Sequence, residues 1–301
     1  MGKTALLFPG QGSQYVGMGK DLYEANDKAK SLFERANEVL GFSITDIMFN
    51  GPMEELKQTS VTQPAIFLHS AVVFNLLGDV DFDGAAGHSL GEFSALYAAG
   101  ALSFEDALTL VRKRGEAMLA AGEVKRGTMA AVIGLDKEVL RGKCNEASGL
   151  GVVECANFNS PGQIVISGSP EAVYEAMRLA KEAGAKIVKE LVVSGAFHSE
   201  LMIPARDELE KTLNVTEINA AVKPVYANVT AKPVSVPDEI RSLLLKQLTS
   251  PVRWEETVIN MIDDGFDNFI EIGPGKVLQG LVKRINRNVR FSGIDKISDI
   301  K

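Results

Sequence analysis

The sequence predicts an α/β protein built on a parallel sheet, with a second, smaller unit inserted into it. Three observations carry this. Short apolar runs alternate with amphipathic helical segments over most of the 301 residues. One such run ends in Gly87-His88-Ser89-Leu90-Gly91, a Gly-x-Ser-x-Gly turn that leads into a helix-forming stretch. Between about Lys125 and Val193 the order changes to β-α-β-β-α-β, the pattern of a ferredoxin-like unit. The chain is therefore divided into a large domain over 1–125 and 197–301 and an inserted subdomain over 126–196.

Taken in order, Thr4–Phe8 reads as a buried strand, and Pro9-Gly10-Gln11-Gly12-Ser13-Gln14 as the loop at its C-terminal end. Helices are expected near Asp21–Leu40, Ser43–Met48 and Met53–Gln58. Gln63–Leu77 is a long apolar helix, with Pro64 suited to its first turn. Val80–Ala86 supplies the strand before the serine turn and Glu92–Ala99 the helix after it. Ser103, with Asp106 following in the first turn, caps a helix that reaches about Ala121. Within the insert, Met129–Leu135, Gly151–Ala156, Gln163–Gly168 and Ile187–Leu191 are strands; Lys137–Ala147 and Pro170–Ala183 are helices. Beyond it come a helix over Ile203–Leu213, a short strand over Val225–Ala227, and helices over Asp238–Gln247 and Trp254–Asp264. A strand over Asn268–Ile272, the turn Gly273-Pro274-Gly275 and a last helix to about Ile285 complete the pattern.

Composition excludes several classes. Fractions of 46% hydrophobic and 24% charged residues are ordinary for a soluble globular chain. A net charge of -7 argues against nucleic-acid binding, whose footprint is basic. No apolar run approaches the roughly 18 residues that a membrane-spanning helix needs. The apolar run after Met1 breaks at Pro9-Gly10, too short for a signal-peptide core, and Leu6 stands where a myristoylation signal needs Ser or Thr. Cys144 and Cys155 are too few for a disulfide framework and fit a reducing cytoplasm. Only His69, His88 and His198 are present, with no His-Glu-x-x-His, so neither a metal site nor a cofactor is expected.

The candidate chemistry centres on Ser89. A serine on a sharp strand-to-helix turn projects its hydroxyl out of the sheet, and the two glycines let the chain make that turn. The Leu90 N–H then lies at a helix N-terminus, aimed where charge develops on an attacked carbonyl. Gly10-Gln11-Gly12 lies at the C-terminal end of the first strand, where ligands gather in parallel sheets, and the Gln11 N–H is the candidate second donor. His88 belongs to the turn itself, so its ring should diverge from the hydroxyl and serve packing or the rim. His69, beside Phe67 and Leu68 in a helix, reads as a core or surface histidine. His198 lies in Ser194-Gly195-Ala196-Phe197-His198-Ser199, a small-residue loop at the return to the large domain, and is the candidate base. Arg114 interrupts the apolar stripe Ala107, Leu110, Val111, Ala117, Met118. Its guanidinium there implies an internal salt bridge, a side chain snorkelling to the edge, or a bidentate clamp on a substrate carboxylate; periodicity leaves all three open. The group that orients His198 is equally open among Glu271, Asp264 and a backbone carbonyl.

Gly10-Gln11-Gly12-Ser13-Gln14, Thr62-Gln63-Pro64-Ala65, Gly87-His88-Ser89-Leu90-Gly91-Glu92, Arg114-Gly115, Phe197-His198-Ser199 and Glu271-Ile272-Gly273-Pro274-Gly275 occur in this order. On these residues the chain resembles, over essentially its whole length, the malonyl-CoA:acyl carrier protein transacylases of bacterial type II fatty-acid synthesis. The resemblance implies an α/β-hydrolase-like large domain with a ferredoxin-like insert. It implies Ser89 as nucleophile, His198 as base and the N–H groups of Gln11 and Leu90 as oxyanion hole. Arg114 would hold the malonyl carboxylate, and the backbone carbonyl of Gln247 would orient the histidine. Gln63, Asn157 and Asn159 match positions lining the acyl and pantetheine pocket. Phe197 matches malonyl-selective members, whereas methylmalonyl-selective relatives often carry Ser there. Gly195 departs from bulkier residues found in relatives, which leaves the fine shape of the acyl pocket open.

The partners so implied are malonyl-CoA and acyl carrier protein, for a cytoplasmic enzyme whose default state is a monomer. The carrier is acidic and this chain is net acidic, so docking calls for a local basic patch, with Lys125-Arg126, Lys186 and Lys189 as candidates. Two other classes compete. A serine hydrolase of thioesterase or patatin-like type is one, the latter pairing its serine with an Asp-Gly such as Asp83-Gly84 or Asp264-Gly265. A non-catalytic carrier-docking module is the other. Arg114 and the insert argue against the first; the full set of serine, histidine and oxyanion loop argues against the second.

Overall fold

A computed structural model describes residues 2–300. Its strands are β1 (Lys3–Phe8), β2 (Gly84–Gly87), β3 (Thr128–Ile133), β4 (Val153–Ser160), β5 (Gln163–Gly168), β6 (Ile187–Leu191), β7 (Val225–Tyr226), β8 (Pro233–Val234), β9 (Phe266–Ile272) and β10 (Arg290–Ile294). Six form one sheet in the order β10-β9-β1-β2-β7-β8, and four form another in the order β4-β5-β3-β6. The first sheet is parallel except where β7 meets β8. The second is antiparallel throughout. The fold is thus α/β: an α/β-hydrolase-like, mostly parallel sheet, with a ferredoxin-like unit entering the chain between β2 and β7. We place the limits of that insert at 126 and 196. Among the described residues no helix is long and apolar enough to cross a membrane.

The central strand shows why the apolar runs were readable. β1 lies between β9 and β2, and its side chains alternate between two cores. Leu6 and Phe8 enter the core beneath the long helices Thr59–Leu76 and Phe104–Val124, while Ala5 and Leu7 join Trp254 and Phe269 on the other face. A parallel strand buried on both faces needs apolar residues at every position, so it reads as an unbroken run. The insert has a core of its own, from Ala130 and Val132 on β3 to Ala172 and Ala176 on the helix Pro170–Glu182. It is stitched to the rest of the chain where Asn157 bridges Val252, which lies outside the large sheet: Phe158 donates to the Val252 carbonyl at 2.9 Å, and Val252 donates to that of Ala156 at 2.8 Å.

Several expected boundaries move, each for a local reason. The expected helix over 21–40 is two, Lys20–Ala25 and Asp27–Leu40, because the Asn26 side chain caps the second by accepting from Lys28 and Ala29. The long apolar helix begins at Thr59 rather than Gln63, so Pro64 lies inside it and not in its first turn. A proline there cannot donate to the carbonyl of Ser60; the Arg112 guanidinium takes that carbonyl instead, at 3.0 Å. β2 begins at Gly84, not Val80, because Asp83 turns its carboxylate onto the Thr4 N–H at 2.8 Å. β4 continues past Ala156 to Ser160 through two irregularities in register. The edge strand β10 was not expected. Its residues are at most half-buried and carry no strong alternation.

Small residues at the end of β2 are a packing requirement. The whole strand, Gly84-Ala85-Ala86-Gly87, is buried. A Cβ on Gly87 would lie 1.8 Å from the carbonyl carbon of Gly91, and one on Gly91 would lie 2.0 Å from the Phe8 oxygen. Backbone meets backbone here, and neither side can rotate away. Gly91→Ala is therefore expected to cost about 3 kcal/mol or more of stability, measured as a lower urea midpoint. An unchanged midpoint would show that the helix can slide outward without penalty.

Candidate active site

The turn after β2 places Ser89 with φ 52, in the left-handed region. For a residue with a Cβ this costs about 1–2 kcal/mol, and it needs holding from outside. The Ser89 N–H donates to Asn228 Oδ1 at 2.7 Å, and Asn228 Nδ2 donates to the Gly87 carbonyl at 2.7 Å. Behind the turn, Gly91 donates to the His88 carbonyl at 2.9 Å and opens the helix Gly91–Ala98. The hydroxyl is left facing the cleft between the two sheets, a cavity of about 640 Å³.

His198 arrives from the loop after β6, also in the left-handed region at φ 59, and is buried. Its Nε2 stands 2.8 Å from Ser89 Oγ, and its Nδ1 stands 2.9 Å from the Gln247 carbonyl. A carbonyl only accepts, so Nδ1 carries the hydrogen and Nε2 offers a lone pair to the hydroxyl. Burial, and then the nearby Arg114 charge, push the His198 pKa down to about 3. The ring is accordingly a neutral acceptor at neutral pH. Of the three open orienting groups, only the carbonyl meets the ring. Glu271 instead accepts from Leu278 and Gln279 at 3.0 and 3.1 Å, at the start of the helix Val277–Ile285. Asp264 accepts from the Tyr226 hydroxyl, and Asp83 from Thr4, so neither Asp-Gly pairs with the serine.

Arg114 projects from the helix Phe104–Val124 and is 1% exposed. Its terminal nitrogens donate to Gln63 Oε1 at 2.7 Å, to Gln247 Oε1 at 2.9 Å and to Ser89 Oγ at 3.0 Å. Its Nε has no acceptor, and among the described residues no carboxylate pairs with it. The internal salt bridge and the snorkelling side chain left open by periodicity are therefore both absent. Burial lowers its pKa to about 10, against the opposing pull of Glu92. This is a buried cation among neutral oxygens, beside a serine hydroxyl that a neutral imidazole faces, an arrangement that could seat an anion.

The remaining expected residues gather around this centre. Gln11 and Leu90 line the cavity, and no protein acceptor takes either backbone N–H among the described residues. Gln63 is buried and touches Met118 Sδ through its Nε2 at 3.3 Å. Phe197, Asn157 and Asn159 also line the cavity. His88 turns away from Ser89, with Nε2 2.8 Å from Asn159 Oδ1 and its ring 5.6 Å from that of Trp254. His69 is buried in the core, 3.2 Å from an Asp295 oxygen. Gly195 packs its Cα side against Gly122 and the ends of Met202 and Phe197, with a Cβ reaching within 3.3 Å of the first.

Two buried residues behind the turn, Asn228 and Glu92, were given no role from the sequence. Glu92 accepts from the Asn228 N–H at 3.0 Å and from Gln247 Nε2 at 2.8 Å, and burial raises its pKa to about 7. A carboxylate in the otherwise uncharged stretch Gly91-Glu92-Phe93-Ser94-Ala95-Leu96 was the one available signal. Asn228 offered none.

The chain is similar to known acyl transferases. The chain matches the family model of the acyl transferase domain over residues 5–296. It is 49% identical over 293 residues to a malonyl CoA-acyl carrier protein transacylase of Bacillus subtilis, covering 96% of this chain and 92% of the relative. An acyl carrier protein S-malonyltransferase from Vibrio cholerae has a TM-score of 0.95 at 45% identity, covering 99% of this chain and 98% of that one. A malonyl-transacylase in complex with its type II PKS acyl-carrier protein has a TM-score of 0.96 at 40% identity, covering 99% and 97%.

The depressed His198 pKa has a sign that can be measured. A base held at about 3 in the folded chain against 6.5 adds stability above pH 6.5, and that stability is lost as pH falls toward 3. Glu92 acts oppositely: raised from 4.5 to about 7, it favours the fold below 4.5 and loses that contribution as pH rises through 7. His198→Ala should therefore soften the acid limb of stability against pH, measured by urea midpoints. An acid limb parallel to wild type would mean that the ring protonates normally.

Proposed function

The chain belongs to the acyl transferase family and is a malonyltransferase; on that premise we propose that it moves malonyl from malonyl-CoA to the phosphopantetheine thiol of acyl carrier protein through a malonyl-serine intermediate, supplying fatty-acid elongation. The observation that carries the reading is Arg114: a buried guanidinium with no carboxylate partner, whose Nη2 donates to Ser89 Oγ at 3.0 Å. A malonyl thioester is the kind of substrate that fits, because its free carboxylate lies two carbons from the carbonyl to be attacked.

In this reading the malonyl carboxylate takes the cavity-facing edge of the Arg114 guanidinium and brings the thioester carbon over Ser89. His198 Nε2 accepts the hydroxyl proton as Oγ attacks. The Gln11 and Leu90 N–H groups take the oxyanion, and the Gln247 carbonyl holds the imidazolium by its Nδ1–H. The tetrahedral species breaks its C–S bond, and His198 returns the proton to the leaving CoA thiolate. The carrier's thiol then repeats the sequence in the opposite sense and leaves Ser89 free. Phe197 and Met118 border the acyl end of the cavity. Lys125, Arg126, Lys186 and Lys189 are all exposed on the side of the insert, where an acidic carrier would be met.

The test is to mix the enzyme with labelled malonyl-CoA, quench, and map the label on peptides. Malonate should reside on Ser89 and be discharged by acyl carrier protein; Ser89→Ala should carry none. Free malonate released at once, without any thiol, would point to a hydrolase instead. Arg114→Ala should lower kcat/KM for malonyl transfer by about 100-fold or more, and an acetyl donor should suffer far less because it has no carboxylate to lose. Undiminished preference for malonyl over acetyl in that variant would overturn the clamp.

A further inference from the structure

The transfer chemistry leaves two buried side chains directly behind Ser89 without a part in it. Asn228 is wholly buried and lies just beyond β7. β7 pairs with β2 in parallel register, Ala86 opposite Tyr226, so the chain running on from Tyr226 comes alongside the serine turn. There the Asn228 carboxamide spans the turn, accepting from the Ser89 N–H and donating to the Gly87 carbonyl, both at 2.7 Å. Its own backbone is held at both ends. The N–H donates to Glu92 Oε2 at 3.0 Å, and the carbonyl accepts from the Arg253 N–H at 3.1 Å.

We propose that Asn228 is a positioning residue for the nucleophile, holding Ser89 in its left-handed conformation, with Glu92 as the anchor that fixes Asn228 and the Gln247 side chain together. The inference rests on Ser89 being the nucleophile. At φ 52 the turn would relax by rotating the peptide on either side of Ser89. The Asn228 amide bonds the peptide that enters Ser89 and the one before it, and Gln247 Nε2 bonds the Ser89 carbonyl on the far side, so rotation of the entering peptide breaks the Asn228 bond. Glu92 extends the same restraint. Its Oε2 accepts from Gln247 Nε2 at 2.8 Å, and that amide also donates to the Ser89 carbonyl at 3.0 Å while its oxygen accepts from Arg114. Serine backbone, histidine-orienting residue and guanidinium are thus referred to one buried carboxylate. A fully buried Asn with both ends of its amide on one turn has no evident use as a surface or solubility feature.

The experiment compares wild type with Asn228→Ala and Asn228→Asp, following the pre-steady-state acylation rate by labelled malonyl-CoA, per mole of folded protein. Asn228→Ala should slow acylation by about 100-fold, as a misplaced reacting group does. The KM for malonyl-CoA should stay within about threefold, since Arg114 and the cavity are untouched. Asn228→Asp carries its own control. Protonated, the introduced carboxyl can accept from Ser89 and donate to Gly87 as the amide does; ionised, it repels the Gly87 carbonyl. Its rate relative to wild type should therefore rise as pH falls from about 8 to about 6. Glu92 titrates in the same range, with Arg114 and His198 reached through Gln247, and Arg253 facing the adjoining Val229 and Thr230 carbonyls; taking the ratio to wild type removes their share.

Wild-type acylation in Asn228→Ala, or losses in both variants that follow only the folded fraction with a wild-type pH profile, would overturn the proposal while leaving Ser89 as nucleophile. Label on some residue other than Ser89 in wild type would overturn the nucleophile, and this inference with it. Should Asn228→Ala not fold, the relative pH profile of Asn228→Asp decides alone.

Discussion

A positive charge buried without a negative partner governs the design of this cleft. Taking a guanidinium out of water is costly unless its N–H groups find acceptors. Arg114 finds Gln63, Gln247 and the Ser89 hydroxyl, all neutral, and keeps Nε unused. Had a carboxylate been placed against it, the cation would be satisfied and indifferent to a ligand. Neutral acceptors solvate the charge without neutralising it. The nearest acid, Glu92, is separated from it by the Gln247 amide. It moderates the charge, and its own pKa is raised by the same burial. The Arg114 charge also acts on His198, where it adds to burial in keeping the ring neutral. One buried cation therefore does two things: it keeps an unneutralised positive charge beside the cleft, and it helps to keep the neighbouring imidazole free of a proton.

The two sheets make that burial possible. The parallel sheet supplies the serine turn, and the turn is tolerable because nothing larger than hydrogen stands at Gly87 and Gly91, where backbone packs on backbone. The insert closes the other side of the cleft with Met129, Asn157, Asn159 and Val165. Because Asn157 pairs with Val252 close to Gln247, the wall of the cleft and the histidine-orienting carbonyl share one short stretch of chain. The wall of the cleft and the His198 ring are consequently both tied to backbone of the 247–252 stretch.

The sequence by itself determined the fold class, the serine turn, the candidate base and the irregular Arg114, because each leaves a local mark. Double-faced burial makes β1 an unbroken apolar run, and a cap such as Ser103 acts within one helical turn. A charge in an apolar stripe is visible from spacing alone. The misplaced boundaries also have local physics, but of competing kinds: Asn26 suits a cap as well as a helix end, and Pro64 is tolerated mid-helix only because Arg112 takes the freed Ser60 carbonyl. Only the tertiary structure decided what touches what. His198 meets Gln247 across 49 residues, Ser89 meets Asn228 across 139, and the Ser89 carbonyl meets Gln247 across 158. Glu271 and a backbone carbonyl were equal candidates beforehand, and Asn228 was indistinguishable from any loop asparagine. Periodicity and sterics are properties of neighbours along the chain, whereas a hydrogen bond between distant segments depends on strand register and loop path, which exist only once the sheets have formed.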